Sequence, residues 1–76
     1  MTGPWMSRFM DDFKSFMAKY WVVKPADDEK YWKGMLADFN ALVDKYEAHP
    51  LVTDMLIAYT TYQEDVCAGR RQREGA

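Results

Sequence analysis

A single histidine, His49, a single cysteine, Cys67, and two serines, Ser7 and Ser15, are the side chains here whose types could support nucleophilic catalysis. That chemistry needs a nucleophile, a base and an orienting group within hydrogen-bond reach of one another. Their placement works against it. His49 stands directly before Pro50, in a short break between two apolar-periodic segments, where a loop-capping role accounts for it. Cys67 falls in the last turn of the third segment, where the negative end of a helix dipole opposes a thiolate. Both serines lie on the polar side of the first segment, far in sequence from the histidine. The chain reads as a non-enzyme.

Metal and phosphate chemistry meet the same difficulty. The densest carboxylate cluster is Asp27-Asp28-Glu29. Consecutive positions at a helix start splay around the axis, and carboxylates there meet the positive end of the helix dipole without a metal. No Glu-x-x-His pair and no calcium-loop spacing occurs. The four glycines, Gly3, Gly34, Gly69 and Gly75, are scattered and build no phosphate-cradling loop. Neither a metal nor a cofactor is expected. Gly34 inside a helical segment costs about 1 kcal/mol relative to alanine, which points to a neighbouring helix approaching closely there.

Arg70, Arg71 and Arg73 form a short basic tail. Three arginines neutralise about three phosphates, enough for weak, salt-sensitive nucleic-acid binding. A helix-turn-helix reading fails, because the third segment opens with Leu51, Val52, Thr53 and Asp54 and offers no base-reading Arg, Gln or Asn. From Asp11 to Asp65 the chain carries 11 acidic against 6 basic residues, whereas a broad nucleic-acid surface needs clustered Lys and Arg. A solvated tail is the reading preferred for residues 70–76.

The elements that would position these side chains are helices. Trp5, Phe9, Phe13, Phe16 and Tyr20 step by four, four, three and four, widened by Met6, Met10 and Met17. Tyr31/Trp32, Met35/Leu36, Phe39, Leu42/Val43 and Tyr46 make a second stripe. Leu51, Met55, Tyr59, Tyr62 and Val66 make a third, with Val52, Leu56 and Ala58 beside it and Ile57 on another side. Such spacing buries one face of a helix. The expectation is an all-α three-helix bundle with helices at about 4–20, 28–48 and 50–68. The domain then covers 1–69, with a polar tail at 70–76. Pro4 and Pro50 suit helix starts, Asp27 an N-cap and Gly69 a C′ position. Trp21-Val22-Val23-Lys24-Pro25 breaks the periodicity, and Trp21, Val22 and Val23 are expected to lie extended across the core and close its end. No internal repeat, strand alternation or hairpin signal is found. Met6-Ser7 offers an alternative start to Met1.

With 76 residues the chain sits near the lower size limit for folding alone, so self-association is an open possibility. One cysteine cannot form an internal disulfide, which favours a reducing, cytoplasmic setting. No apolar run is long enough for a membrane span, and no signal peptide is read. The aromatic first segment lacks the basic face of an interfacial helix.

Three tryptophans, five tyrosines, four phenylalanines and six methionines are more bulk than so small a bundle encloses easily. Residues left outside would form an interaction patch of the composition interfaces favour. Trp5, Phe9, Trp32, Ile57 and Tyr62 are the anchors expected for such a protein-binding surface.

Tyr20-Trp21, Lys24-Pro25, Asp27-Asp28-Glu29 and Tyr31-Trp32, followed by an amphipathic helix and a Leu/Tyr-rich third helix, resemble short all-helical proteins encoded in phages and prophages of gut bacteria. The resemblance covers roughly residues 9–62. It implies a cytoplasmic, non-enzymatic accessory protein that binds a host protein, possible targets including a defence-system component. The alternatives are a nucleic-acid-associated regulator using the arginine tail and an oligomer that sequesters a small ligand in an aromatic pocket.

Overall fold

The computed structural model describes residues 4–71. Three helices follow one another: α1 Trp5–Lys19, α2 Glu29–Lys45 and α3 Pro50–Cys67. Among the described residues there is no strand, and the expected all-α three-helix bundle is what forms. Side-chain contacts give the directions. Trp5 and Phe9 near the start of α1 meet Tyr46 at the end of α2, so these two are antiparallel, whereas Trp5 meets His49 at the start of α3 and the Tyr20 carbonyl meets Gln63 near its end, so α1 and α3 run the same way.

The helix ends explain the lengths. Asp28, not Asp27, caps α2, its carboxylate accepting from the Tyr31 backbone N–H at 3.1 Å. The second helix stops at Lys45, three residues before its expected end. Glu47 and Ala48 turn left-handed (φ 56° and 55°), and their N–H groups return to Asp44 and Val43 at 3.1 and 2.8 Å. That is the Schellman closure, adopted here without glycine at about 1–2 kcal/mol per left-handed residue. The chain then enters Pro50, which biases the residue before it toward extended backbone. His49 takes φ −56°, ψ 131°, and its Nδ1 caps α3 by accepting from Leu51 N–H at 3.2 Å. The same closure ends α3 with glycine in place. Gly69 has φ 78°, its N–H reaches Val66 O, and Arg70 N–H reaches Asp65 O.

The core is an aromatic spine from α1. Phe9, Phe13, Phe16 and Tyr20 are buried against Met35, Tyr46, Val52, Leu56 and Tyr59. Ring centroids follow one another at 5.3–6.2 Å, mostly tilted or edge-on, the arrangement favoured by ring quadrupoles. On α3 the buried stripe is Val52, Leu56, Tyr59 and Gln63. This differs from the expected Leu51–Met55–Tyr59–Tyr62–Val66 stripe, with Leu51 and Ala58 exposed.

Gln63 is the reason for the shift. Fully buried, its amide donates to the carbonyls of Tyr20 (2.6 Å) and Trp21 (3.2 Å). The Trp21–Asp27 connector has few backbone partners of its own, and a carbonyl withdrawn from water without a donor is costly. Tyr31 Oη adds a bond to Tyr20 O, Cys67 Sγ one to Lys24 O and Trp32 Nε1 one to Pro25 O. The connector is therefore held by its carbonyls, and its side chains face outward except for partly buried Val23. Trp21 and Val22 are 50% and 67% exposed. The expectation that they close the core is overturned, and Tyr20 closes that end instead.

An internal repeat, not expected, becomes visible once the helices are paired. Asp12-Phe13, Phe16-Met17 and Lys19-Tyr20 in α1 recur 26 residues later as Asp38-Phe39, Leu42-Val43 and Lys45-Tyr46. Each repeat grips the other. Asp12 accepts from Lys45 Nζ (2.7 Å) and Tyr46 Oη (2.5 Å), and Asp38 accepts from Lys19 Nζ (2.8 Å) and Tyr20 Oη. Two clasps of one design thus join α1 to α2 with local two-fold character. Four identities spread over nine positions are easily missed in sequence, and the antiparallel pairing is what gives them meaning.

The lysine ammonium first, and the tyrosine hydroxyl second, hold both aspartates below their ordinary value of 3.8. Burial and then the Asp12 carboxylate push Tyr46 up to about 12. The signs follow. Aspartates with lowered folded pKa contribute stability that is complete above the unfolded value and lost as pH falls through the folded one. A tyrosine with raised folded pKa contributes stability present below its unfolded value and lost as pH rises through about 12.

Urea unfolding should therefore show an acid limb below pH of about 4 that becomes shallower in Asp12→Asn and Asp38→Asn. An acid limb unchanged in the double variant would deny the clasps this role. Gln63→Leu, which keeps the bulk and removes the donors, should lower stability by about 1–3 kcal/mol in the same assay. A neutral effect would mean that the connector carbonyls find other partners.

Candidate interaction surface

Between α2 and α3 lies an open groove of about 710 Å³. From α2 it is lined by Trp32, Met35, Leu36 and Phe39, the i, i+3, i+4, i+7 pattern of one helix face. From α3 it is lined by Ile57, Thr60, Thr61 and Glu64, with Cys67, Ala68 and Arg70 at its end beside Ala26. Met35 is buried, Trp32 and Phe39 are partly buried, and Leu36 and Ile57 are 59% and 49% exposed. The α2 stripe is wider than one neighbouring helix can cover. Its Met35 edge enters the core, and its Leu36 edge is left as a wall of the groove.

Thr60, Cys67 and Arg70 in the groove are already engaged. Thr60 Oγ1 donates to the Leu56 and Ile57 carbonyls at 3.0 and 3.1 Å, as mid-helix threonines commonly do. Arg70 pairs with Asp65 at 2.8 Å, and Cys67 Sγ donates to Lys24 O. Glu64 is the exposed acid of the lining. Among the described residues no three His, Cys, Asp or Glu side chains converge to hold a metal ion. What the groove offers is apolar contact with a thin polar margin.

The five expected anchors separate. Trp32 and Ile57 come together in the groove. Phe9 is fully buried against Phe13 and Tyr46, so its expected role as an exposed anchor is overturned. Four-residue spacing alone cannot separate the centre of a buried stripe from its margin. Trp5 is partly buried at the opposite end of the bundle, its ring 4.4 Å from His49 and 6.4 Å from Tyr46, where it covers the α2–α3 turn. Tyr62 is also partly buried, with the Arg71 guanidinium 5.4 Å from its ring centroid. Leu36, the most exposed apolar side chain of the groove, was assigned by its spacing to the core. The signal that could have found it was the width of the α2 stripe.

The arginines expected in a solvated tail are partly folded back. Arg70 is held by Asp65, Arg71 lies over Tyr62, and the backbone N–H groups of both reach Asp65 O. Arg73 lies outside the described residues. The expected close approach at Gly34 is made by a side chain, since a Cβ there would stand 3.3 Å from Tyr20 Oη.

A second, smaller gap of about 270 Å³ separates α1 from α2 between the two clasps. Asp12, Lys19, Asp38 and Lys45 line it, each already in an ion pair. No helix among the described residues is long and apolar enough to cross a membrane. Compared with protein-family models, curated proteins and solved structures, the chain matches none.

Proposed function

We propose that this chain is a non-enzymatic protein-binding module and that the α2–α3 groove is its binding surface. The observation that carries the reading is the pair Leu36 and Ile57. Two large aliphatic side chains, each about half exposed or more, face one groove whose floor is Met35, Phe39 and Trp32. Exposed apolar side chains gathered in one concavity with an aromatic in its wall are the composition of interface centres. A helix laid there would meet apolar side chains from two antiparallel helices, completing the four-helix geometry that such pairs favour. The resemblance to small phage and prophage proteins makes a host protein the expected partner.

The groove's volume also falls in the range of small-molecule pockets, about 300–1,000 Å³, which supports a second reading as a ligand-sequestering protein. A thermal-shift screen against nucleotides and signalling metabolites separates the two. A ligand that raises the midpoint in the wild type and not in Trp32→Ala favours the second.

For the first reading, Leu36→Glu and Ile57→Glu should keep the fold, because substitutions at half-exposed helical positions usually change stability by under about 0.5 kcal/mol. They should abolish retention of the partner when tagged wild-type and variant chains are compared in extracts of the natural host. Identical sets of retained proteins from wild type and the double variant would overturn the assignment.

A further inference from the structure

The two clasps have a consequence that one chain does not exhaust. Each repeat carries both halves of the contact, an acceptor (Asp12 or Asp38) and, seven residues later, a Lys-Tyr donor pair. A contact in which residue i of one element meets j of the other, and j meets i, is the arrangement of an isologous two-fold interface. Here the two elements are joined by the short Trp21–Asp28 connector. From this geometry we infer that the α1–α2 contact is also an intermolecular recognition surface, through which a second copy of the chain exchanges α1.

The connector suits such an exchange. Trp21, Val22, Lys24, Pro25, Ala26 and Asp27 are exposed, and Lys24 before Pro25 is biased toward the extended backbone of an open hinge. The carbonyls of Tyr20 and Trp21 travel with α1 and meet the same Gln63 in the other copy. Opening releases the α1 contacts, and completed exchange re-forms them in the other copy, whereas the bonds at Lys24 and Pro25 that α3 and α2 donate lie at the hinge itself. Exchange of identical elements preserves the remaining contacts, which makes it a low-cost route to a dimer. This surface is distinct from the α2–α3 groove and does not depend on it.

Charge reversal tests the inference. One variant carries Asp12→Lys and Asp38→Lys, and a second carries Lys19→Asp and Lys45→Asp. Within either chain both clasps become like-charged. Between α1 of one and α2 of the other, every clasp is again opposite in sign. A single chain with all four substitutions restores the internal pairing and serves as the folding control. The expected result is a four-substitution chain that is helical, and two-substitution variants with lowered thermal midpoints. Mixing and annealing the two variants should raise the midpoint and give a heterodimer of two 8.9-kDa chains by light scattering and native mass spectrometry.

If the separate variants do not fold alone, mixing should restore their helical circular dichroism. Ser15→Cys in one and Ala41→Cys in the other, both with Cys67→Ser, place thiols on the same gap. A short bifunctional reagent should then join the two chains. A folded four-substitution control together with a mixture that neither associates nor regains stability overturns the inference. So does a heterodimer that resists the crosslink, since it has associated without exchange.

Discussion

Tyr20 is the residue on which the three helices converge. It is the C-cap of α1, and its ring is buried between Phe16 and Tyr31. Its hydroxyl donates to Asp38 and lies 3.3 Å from where a Cβ at Gly34 on α2 would stand. Its carbonyl accepts from Tyr31 on α2 and from the buried Gln63 on α3. One residue thus satisfies a helix end, closes the core and ties α1 to both neighbours. The glycine in α2 and the glutamine in the α3 core stripe each look like a local weakness. Both are explained by what this tyrosine requires of its surroundings.

That arrangement also decides how α1 and α2 meet. They do not interlock along their length by small apolar side chains. Lysines and tyrosines at the helix ends reach across a gap to aspartates about two turns inside the opposite helix. Exposed ion pairs of this kind are individually weak, about 0.2–1 kcal/mol. The stronger part of each clasp is the buried tyrosine hydroxyl, which would lack a partner if its carboxylate were removed. The polar contact consequently specifies the pairing of α1 with α2, while the aromatic spine against α3 supplies most of the apolar burial.

The abundance of bulky side chains resolves into two populations. The three phenylalanines of α1 and most tyrosines are drawn to the centre, because α1 presents one straight row that both other helices can cover. Leu36 and Ile57 remain outside, because α2 and α3 are each apolar over a wider arc than a three-helix arrangement can enclose. The exposed connector residues Trp21 and Val22 have a different origin. The carbonyls of Trp21, Lys24 and Pro25 in the same connector are taken by donors on α3 and α2, and the Trp21 and Val22 side chains are left outside.

Helical periodicity, proline positions and the glycine at position 69 were enough to read three helices, their order and the α1 face, since those depend on spacing and on local backbone sterics. The fate of Phe9, Leu36, Trp21 and Val22 was not legible, because burial at the edge of a stripe depends on which neighbour arrives and from what angle. The place of Gln63 was hidden for a similar reason. A polar residue belongs in a core only when unsatisfied carbonyls are brought to it, and those carbonyls sit more than 40 residues away in the chain. The repeat was present in the letters all along, yet only antiparallel packing set each aspartate opposite the other copy's Lys-Tyr pair. Local preference decided what each segment would be. Long-range complementarity decided which of its faces would be hidden and which would be left exposed.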